Sequence, residues 1–234
     1  MDHHVVMPDG AATDTQPLRH PYYPLTLDLP GYTKPTHSTT ALVSTMGASI
    51  GVLLAATFYA YTAKRRRIEL SQRLTALWFV MCGALHSLFE LYYLVQYRTL
   101  AQEQSIVADM WKEYALSDSR YLSAVPMVRT LETITVLVTA PLCWTVAYAI
   151  WTDMHAIRHL AQLSASLLHL YSVVIYYGTE FMSPASNCRP EHIYYYGYFV
   201  AMNIPWLLVP VLLGVSSFCE IYRCMAMLRA SRAP

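Results

Sequence analysis

Five apolar segments, each close to the roughly 20 residues that a helix needs to cross a bilayer, follow a polar stretch at the start of the chain. Only 13% of the residues are charged, about half the share typical of soluble domains, and the mean hydropathy is +0.30. The pattern predicts an all-α integral membrane protein, a bundle of five transmembrane helices. The segments cover about residues 41–63, 74–97, 127–151, 157–177 and 193–218.

Basic residues in the short connecting stretches indicate how the chain crosses the membrane. The run from Lys64 to Arg67 follows the first segment, and the positive-inside rule places that loop in the cytoplasm. Because five crossings put the termini on opposite sides, the N-terminus is expected in the lumen and the C-terminus in the cytoplasm. Three regions are predicted: an irregular polar arm, a five-span membrane domain and a short basic tail, at residues 1–40, 41–220 and 221–234.

The second segment carries a histidine and a glutamate, His86 and Glu90, within an otherwise apolar run. At i and i+4 both side chains lie on one face of a helix. A charged group near the middle of a span costs about 2.5–3.5 kcal/mol even on the lenient insertion scale. The pair therefore indicates a polar site that faces the interior of the bundle.

Two further polar sets occur in other segments, each with i,i+3 spacing. Glu132 and Thr135 lie in LETITVLV, and Asn203 and Trp206 lie in AMNIPWLLVP. Three spans that present acid, imidazole, hydroxyl, amide and indole groups inward can converge on one cavity. Desolvation favours the neutral form of a carboxyl group, so one acid can stay protonated and act as a proton donor.

Other readings of these residues remain open from the sequence. A single intramembrane glutamate can be an interhelical hydrogen-bond partner, Thr135 can bond back to its own helix, and Trp206 can serve packing. A metal site is a poor fit, because neither an HExxH motif nor a cysteine cluster accompanies His86. A proton-driven transporter can also use buried His and Glu, but five spans without an inverted repeat count against it.

The loop between the second and third segments contains WKEYALSDSRY, residues 111–121. It is aromatic and dense in charge, which is compatible with a solvated loop held by local ion pairs. Because it directly precedes the span that carries Glu132, it can instead cap a cavity in the bundle.

Several blocks, in this order and spacing, resemble the emopamil-binding protein family, the sterol Δ8–Δ7 isomerases. They are CGALHSLFE, WKEYALSDSRY, LETIT and YFVAMNIPW, with HPYYP at residues 20–24 similar to the short N-terminal motif of those proteins. The resemblance covers residues 20–220. It implies a five-helix membrane bundle of the endoplasmic reticulum, the EXPERA domain, which agrees with the count of apolar segments.

The resemblance implies double-bond migration in a sterol without a cofactor, through protonation, a tertiary carbocation and loss of a neighbouring proton. Glu132 and His86 would act as proton donor and relay, and Glu90 would hold the histidine's protonation state or balance the cation. The implied catalytic residues are His86, Glu90, Glu132, Thr135, Asn203 and Trp206, and the implied substrate-binding residues are Tyr114, Tyr121 and Glu180.

One departure leaves two activities open. Where the sterol isomerases carry YGD, this chain has Tyr171, Ser172 and Val173, so an acidic group is missing from the fourth segment. Some fungal members of the superfamily look like cyclases of terpenoid natural products, which need the same buried acid and aromatic wall. A non-catalytic sterol- or amine-binding protein is a further alternative.

The expected partners follow from these assignments. They are the lipid bilayer and a hydrophobic sterol or terpenoid substrate, with a homodimer left open. The net charge of +1 gives no electrostatic case for binding nucleic acid.

Overall fold

The computed structural model describes residues 20–64 and 67–231, and within these it contains five helices long and apolar enough to cross a membrane. The five-helix prediction is therefore confirmed. The transmembrane helices are α1 (Thr39–Ala63), α2 (Leu70–Gln96), α4 (Pro126–Thr152), α5 (His155–Phe181) and α6 (Ile193–Ala230), and a short helix α3 (Ile106–Tyr114) lies between α2 and α4.

Local sequence signals explain where several helices begin and end. The Ser38 hydroxyl accepts a hydrogen bond from the backbone N–H of Ala41 and caps α1, and Ser105 caps α3 in the same way through Ala108. Pro126 occupies the first turn of α4, where its missing N–H is harmless.

Three of the transmembrane helices contain a stretch of π-helix. These stretches are Leu85–Glu90 in α2, Thr135–Thr139 in α4 and Ile193–Ala201 in α6. A π-helical turn inserts an extra residue into the helical ladder and is often found at functional sites. The carbonyl oxygen of Phe89, in the first stretch, accepts a hydrogen bond from Trp111 Nε1 at 3.2 Å, which ties α2 to α3.

Helices α2 and α4 approach closely at Gly83. A Cβ atom added at this glycine would lie 2.9 Å from the ring of Trp144, which is closer than a Cβ contact allows. The Trp144 indole N–H also donates to the Ser87 hydroxyl at 3.0 Å. The glycine therefore sets the distance between the two helices on which His86 and Glu132 lie.

The connection that contains α3 is buried, so it is a packed cap on the bundle. Lys112 and Asp118 are both 0% exposed. The Lys112 ammonium donates to the Thr33 carbonyl at 3.0 Å, and Arg120 forms a two-point ion pair with Asp118. Burial of these charges is tolerated because each is paired and hydrogen-bonded.

The described part of the N-terminal arm, residues 20–38, contains neither helix nor strand and packs against this cap. Tyr22 and Tyr32 are buried, and Asp109 accepts hydrogen bonds from the backbone and side chain of Thr36. Residues 1–19, Arg65, Arg66 and residues 232–234 lie outside the described residues. At the other end α6 continues to Ala230, so most of the predicted tail is helical.

Candidate active site

A cavity of about 260 Å³ lies inside the bundle, under the cap. All five transmembrane helices and α3 contribute to its wall, whereas the sequence assigned the site to the second, third and fifth spans. Eight of the nine residues predicted for the site line it: His86, Glu90, Tyr114, Tyr121, Glu132, Thr135, Asn203 and Trp206.

His86 and Glu90 lie on the π-helical stretch of α2 and contact each other directly. His86 Nδ1 is 2.6 Å from Glu90 Oε1, and His86 is only 3% exposed. The other carboxylate oxygen of Glu90 is buried and has no hydrogen-bond partner within the described part of the chain. The carboxyl groups of Glu90 and Glu132 are close enough to interact electrostatically.

Glu132 is buried at the end of the α-helical part of α4, where the π-helical stretch begins. Its Oε1 accepts a hydrogen bond from the Tyr121 hydroxyl at 2.8 Å. Thr135 lines the cavity, but its hydroxyl donates to the carbonyl of Leu131 at 2.9 Å, which is the local bond that the sequence left open. Thr135 is therefore oriented by its own helix.

The two tyrosines of the cap are weak acids in this setting. Burial raises the pKa of Tyr114 to about 12 and raises that of Tyr121 well above its usual value. Both phenols therefore keep their hydrogen at physiological pH. Tyr121 can donate to Glu132 throughout that range.

Asn203 and Trp206 lie where the π-helical part of α6 gives way to α-helix. The Asn203 amide donates to the Phe199 carbonyl at 2.8 Å and lies 3.5 Å from the Tyr114 hydroxyl. Trp206 packs against Trp78, with ring centroids 5.4 Å apart. An indole face at the cavity wall can stabilise a positive charge in the cavity.

His169 was not among the residues predicted for the site, yet it lines the cavity beside His86. His169 Nε2 is 3.0 Å from His86 Nε2, and the residue is 4% exposed. Its Nδ1 is buried without a hydrogen-bond partner among the residues described. The sequence does contain a pattern that could have indicated His169. The cavity-lining residues of α5 follow the i, i+3, i+4, i+7 spacing of one helix face: His169, Ser172, Val173 and Tyr176.

Glu180 lies outside the cavity, which differs from its prediction as a substrate-binding residue. Its two carboxylate oxygens accept hydrogen bonds from the backbone N–H and the side-chain amide of Asn187, both at 2.8 Å. Arg120 lies 3.6 Å from the same carboxylate. Glu180 therefore holds the loop after α5 against the cap.

Among the residues that the structure describes, two groups of side chains have the composition and spacing to hold a metal ion. Cys82, His86 and His169 offer ligand atoms that all lie within 4.8 Å of one another beside the cavity. The sequence around His86 did not indicate this group, because the fold brings His169 in from another helix. The second group lies apart from the cavity-lining residues and is formed by His155, Glu220 and Cys224.

Comparison with known proteins identifies the family of this chain. The family model described as EXPERA, the expanded EBP superfamily, matches residues 106–217. The 3-beta-hydroxysteroid-Delta(8),Delta(7)-isomerase of Cavia porcellus is 30% identical over 91% of this chain and 93% of its own length. A probable enzyme of the same name from Arabidopsis thaliana is 28% identical over 87% and 90%. Protoglabretal synthase MOI1 of Citrus sinensis is 28% identical over 79% and 87%.

Proposed function

Because this chain belongs to the EXPERA family, we propose that it is a membrane-embedded isomerase that moves the double bond of a sterol from Δ8 to Δ7. The observation that carries the proposal is the convergence of Glu90, Glu132 and His86 at one apolar, aromatic-walled cavity. The sterol isomerases named above are similar over nine-tenths of the chain and have this activity in their names.

The reaction needs one proton to enter the substrate and another to leave it. Protonation of one alkene carbon places a tertiary cation on the other, and loss of a proton from an adjacent carbon forms the new double bond. Glu132 is the proposed donor, since its Tyr121 hydrogen bond fixes the carboxyl group in the cavity wall. His86, held by Glu90, is the proposed base that takes up the proton lost from the substrate and returns it to Glu132.

The same residues suit an intermediate with positive charge. Glu90 and Glu132 both line the cavity, and a carboxylate there places a negative charge beside the cation. The negative charge and the Trp206 indole stabilise the cation, and a cation–π contact is worth about 2 kcal/mol when desolvated. Trp111, Tyr114 and Tyr121 of the cap shield the cation from water.

A proton-initiated terpenoid cyclase is the second candidate. The observation in its favour is the similarity to plant proteins named protoglabretal synthase, at 28% and 27% identity. Protonation of an alkene or epoxide would use the same acid, and the cation would be guided by the same aromatic wall. The two functions differ only in the substrate that the cavity accepts.

Expression in a yeast strain that lacks sterol Δ8–Δ7 isomerase tests the proposal. Restored Δ7 sterols are expected with the unaltered chain, while Glu132→Gln should restore none although it inserts into the membrane. Glu191→Gln is the matched control, because Glu191 pairs with Arg189 on an exposed loop. A correctly inserted chain that leaves the Δ8 sterol unchanged would refute the isomerase and direct the search to terpenoid substrates.

We further propose that the protein resides in the endoplasmic reticulum with the N-terminal arm in the lumen. The basic residues near Lys64 and in the last turns of α6 support this orientation. A glycosylation acceptor placed before residue 20 would be modified in this topology, whereas one placed after residue 231 would not. The opposite pattern would contradict it.

A further inference from the structure

The wall of the cavity contains a compact group of nitrogen and sulfur ligands. Cys82 and His86 lie four residues apart on α2, and His169 reaches them from α5. Their ligand atoms lie within 4.8 Å of one another, and the residues are 0%, 3% and 4% exposed. Since Zn–N and Zn–S bonds are about 2.1 and 2.3 Å long, ligands of a tetrahedral zinc ion are about 3.3–3.6 Å apart. Small side-chain rotations would bring the three ligand atoms to this spacing.

The orientation of His86 is the one that metal-binding histidines adopt. Its Nδ1 faces Glu90 at 2.6 Å, which leaves Nε2 directed at His169 Nε2, 3.0 Å away. A carboxylate that accepts from one ring nitrogen fixes the tautomer in which the other nitrogen carries a lone pair. The His169 Nδ1 is buried without a partner in the described chain, so no second hydrogen bond holds the His169 ring in one tautomer.

Charge and ligand type select the ion. One thiolate and two imidazoles suit zinc, whereas magnesium and calcium require oxygen ligands. A divalent ion balanced by the Cys82 thiolate and the nearby Glu90 carboxylate would leave the buried group neutral, which low dielectric requires. The thiol proton would leave through the cavity, which His86 and His169 line.

We propose that Cys82, His86 and His169 form a zinc-binding site whose fourth position opens to the cavity. Zinc takes the lone pair of His86 Nε2, so bound zinc and proton transfer through His86 exclude each other. The site thus makes the protein sensitive to zinc. Binding itself does not depend on the proposed isomerisation, because it needs only the three side chains.

Direct metal binding by the purified full-length protein in detergent tests this site. Zinc bound per chain is measured by elemental analysis after equilibrium dialysis, and Co²⁺ is added as a spectroscopic probe. The unaltered chain should bind one tight zinc and, with Co²⁺, show thiolate charge-transfer absorption together with tetrahedral d–d bands.

Two variants on different helices remove single ligands, Cys82→Ser on α2 and His169→Gln on α5. Each should weaken zinc binding by more than about 100-fold, since loss of a mere supporting residue already costs about 10- to 100-fold. Cys82→Ser should also abolish the charge-transfer band. Should one variant fail to fold, as judged by gel filtration and thermal melting, the other still decides.

Two controls separate this site from other cysteines and histidines. Cys143→Ser changes a buried cysteine of the same apolar cluster and should retain the zinc and the cobalt spectrum. His155→Ala removes the second group of candidate ligands and should retain them too. Absence of tight zinc in the unaltered chain, unchanged binding in either folded ligand variant, or loss of binding in His155→Ala would overturn the proposal.

Discussion

Tyr121 of the cap donates a hydrogen bond to Glu132 of α4 at 2.8 Å, so the acid proposed as proton donor is held by a residue outside the transmembrane helices. Tyr121 also packs edge to face against Tyr93 of α2. The cap therefore orients the site as well as covering it. This arrangement and the contacts around it lead to four predictions.

Tyr121→Phe should lower the turnover number about 5- to 30-fold, since the hydrogen bond to the acid is worth about 1–2 kcal/mol. The ring still fills its place in the cap, so membrane insertion and melting temperature should change little. Sterol conversion in microsomes measures the effect. Tyr148→Phe, on the exposed side of α4, is the control. Equal activity of Tyr121→Phe and the control would exclude Tyr121 from orienting the acid.

His169 is predicted to position His86. His169→Gln keeps a polar group near the Nε2 position and should retain most activity, whereas His169→Leu leaves His86 Nε2 unpaired and should lower it about tenfold. The Leu variant should also shift the pH profile of the turnover number, because His86 Nε2 loses its hydrogen-bond partner. A lower rate with an unchanged pH profile would indicate packing alone.

Asp118→Asn should strongly destabilise the cap. Burial raises the pKa of Asp118, and its carboxylate forms a two-point ion pair with buried Arg120. Removing one partner of a buried pair costs about 3–5 kcal/mol, because the other charge is left uncompensated. Thermal unfolding in detergent should show a clearly lower midpoint. Glu191→Gln breaks an exposed ion pair and should leave the midpoint unchanged; equal midpoints for the two variants would contradict the prediction.

Gly83→Ala should separate α2 from α4. The new Cβ would meet the Trp144 ring at 2.9 Å, and overpacking of this kind costs about 1–3 kcal/mol. Because His86 and Glu132 lie on these two helices, activity should fall together with the melting temperature. Gly47→Ala on α1 has open space around the added methyl group and should be neutral or slightly stabilising. A fully active, fully stable Gly83→Ala protein would show that the helices adjust without loss.

The number of helices and most of the site could be predicted from the sequence because both depend on local patterns. Apolar length predicts a span, and buried polar residues such as Glu132 and Asn203 are conspicuous in one. The position of Glu180 could not be read this way, because its partner Asn187 lies in a loop whose path depends on tertiary packing. The contact between His86 and His169 likewise requires knowledge of how α2 and α5 pack.

From the sequence the loop before α4 could be either a solvated loop or a cap, and its burial could not be predicted. In the sequence, Lys112 and Asp109 look like solvated charges. In the structure the N-terminal arm covers them, and Thr33 and Thr36 supply hydrogen bonds that the spacing of the residues does not indicate. The π-helical stretches were not anticipated for a different reason. Their composition does not distinguish them from ordinary apolar helix, and helix packing rather than intrinsic propensity stabilises the extra residue.

The three π-helical stretches allow the shape of the cavity to change while the reactive groups are kept. Deleting one residue from Thr135–Thr139 would restore a regular α-helical ladder and change which side chains of that stretch face the cavity. A different set of side chains would then face the chamber while the acid stayed in place. Single-residue insertions and deletions in these stretches can thus change which carbon skeletons fit the cavity and react there.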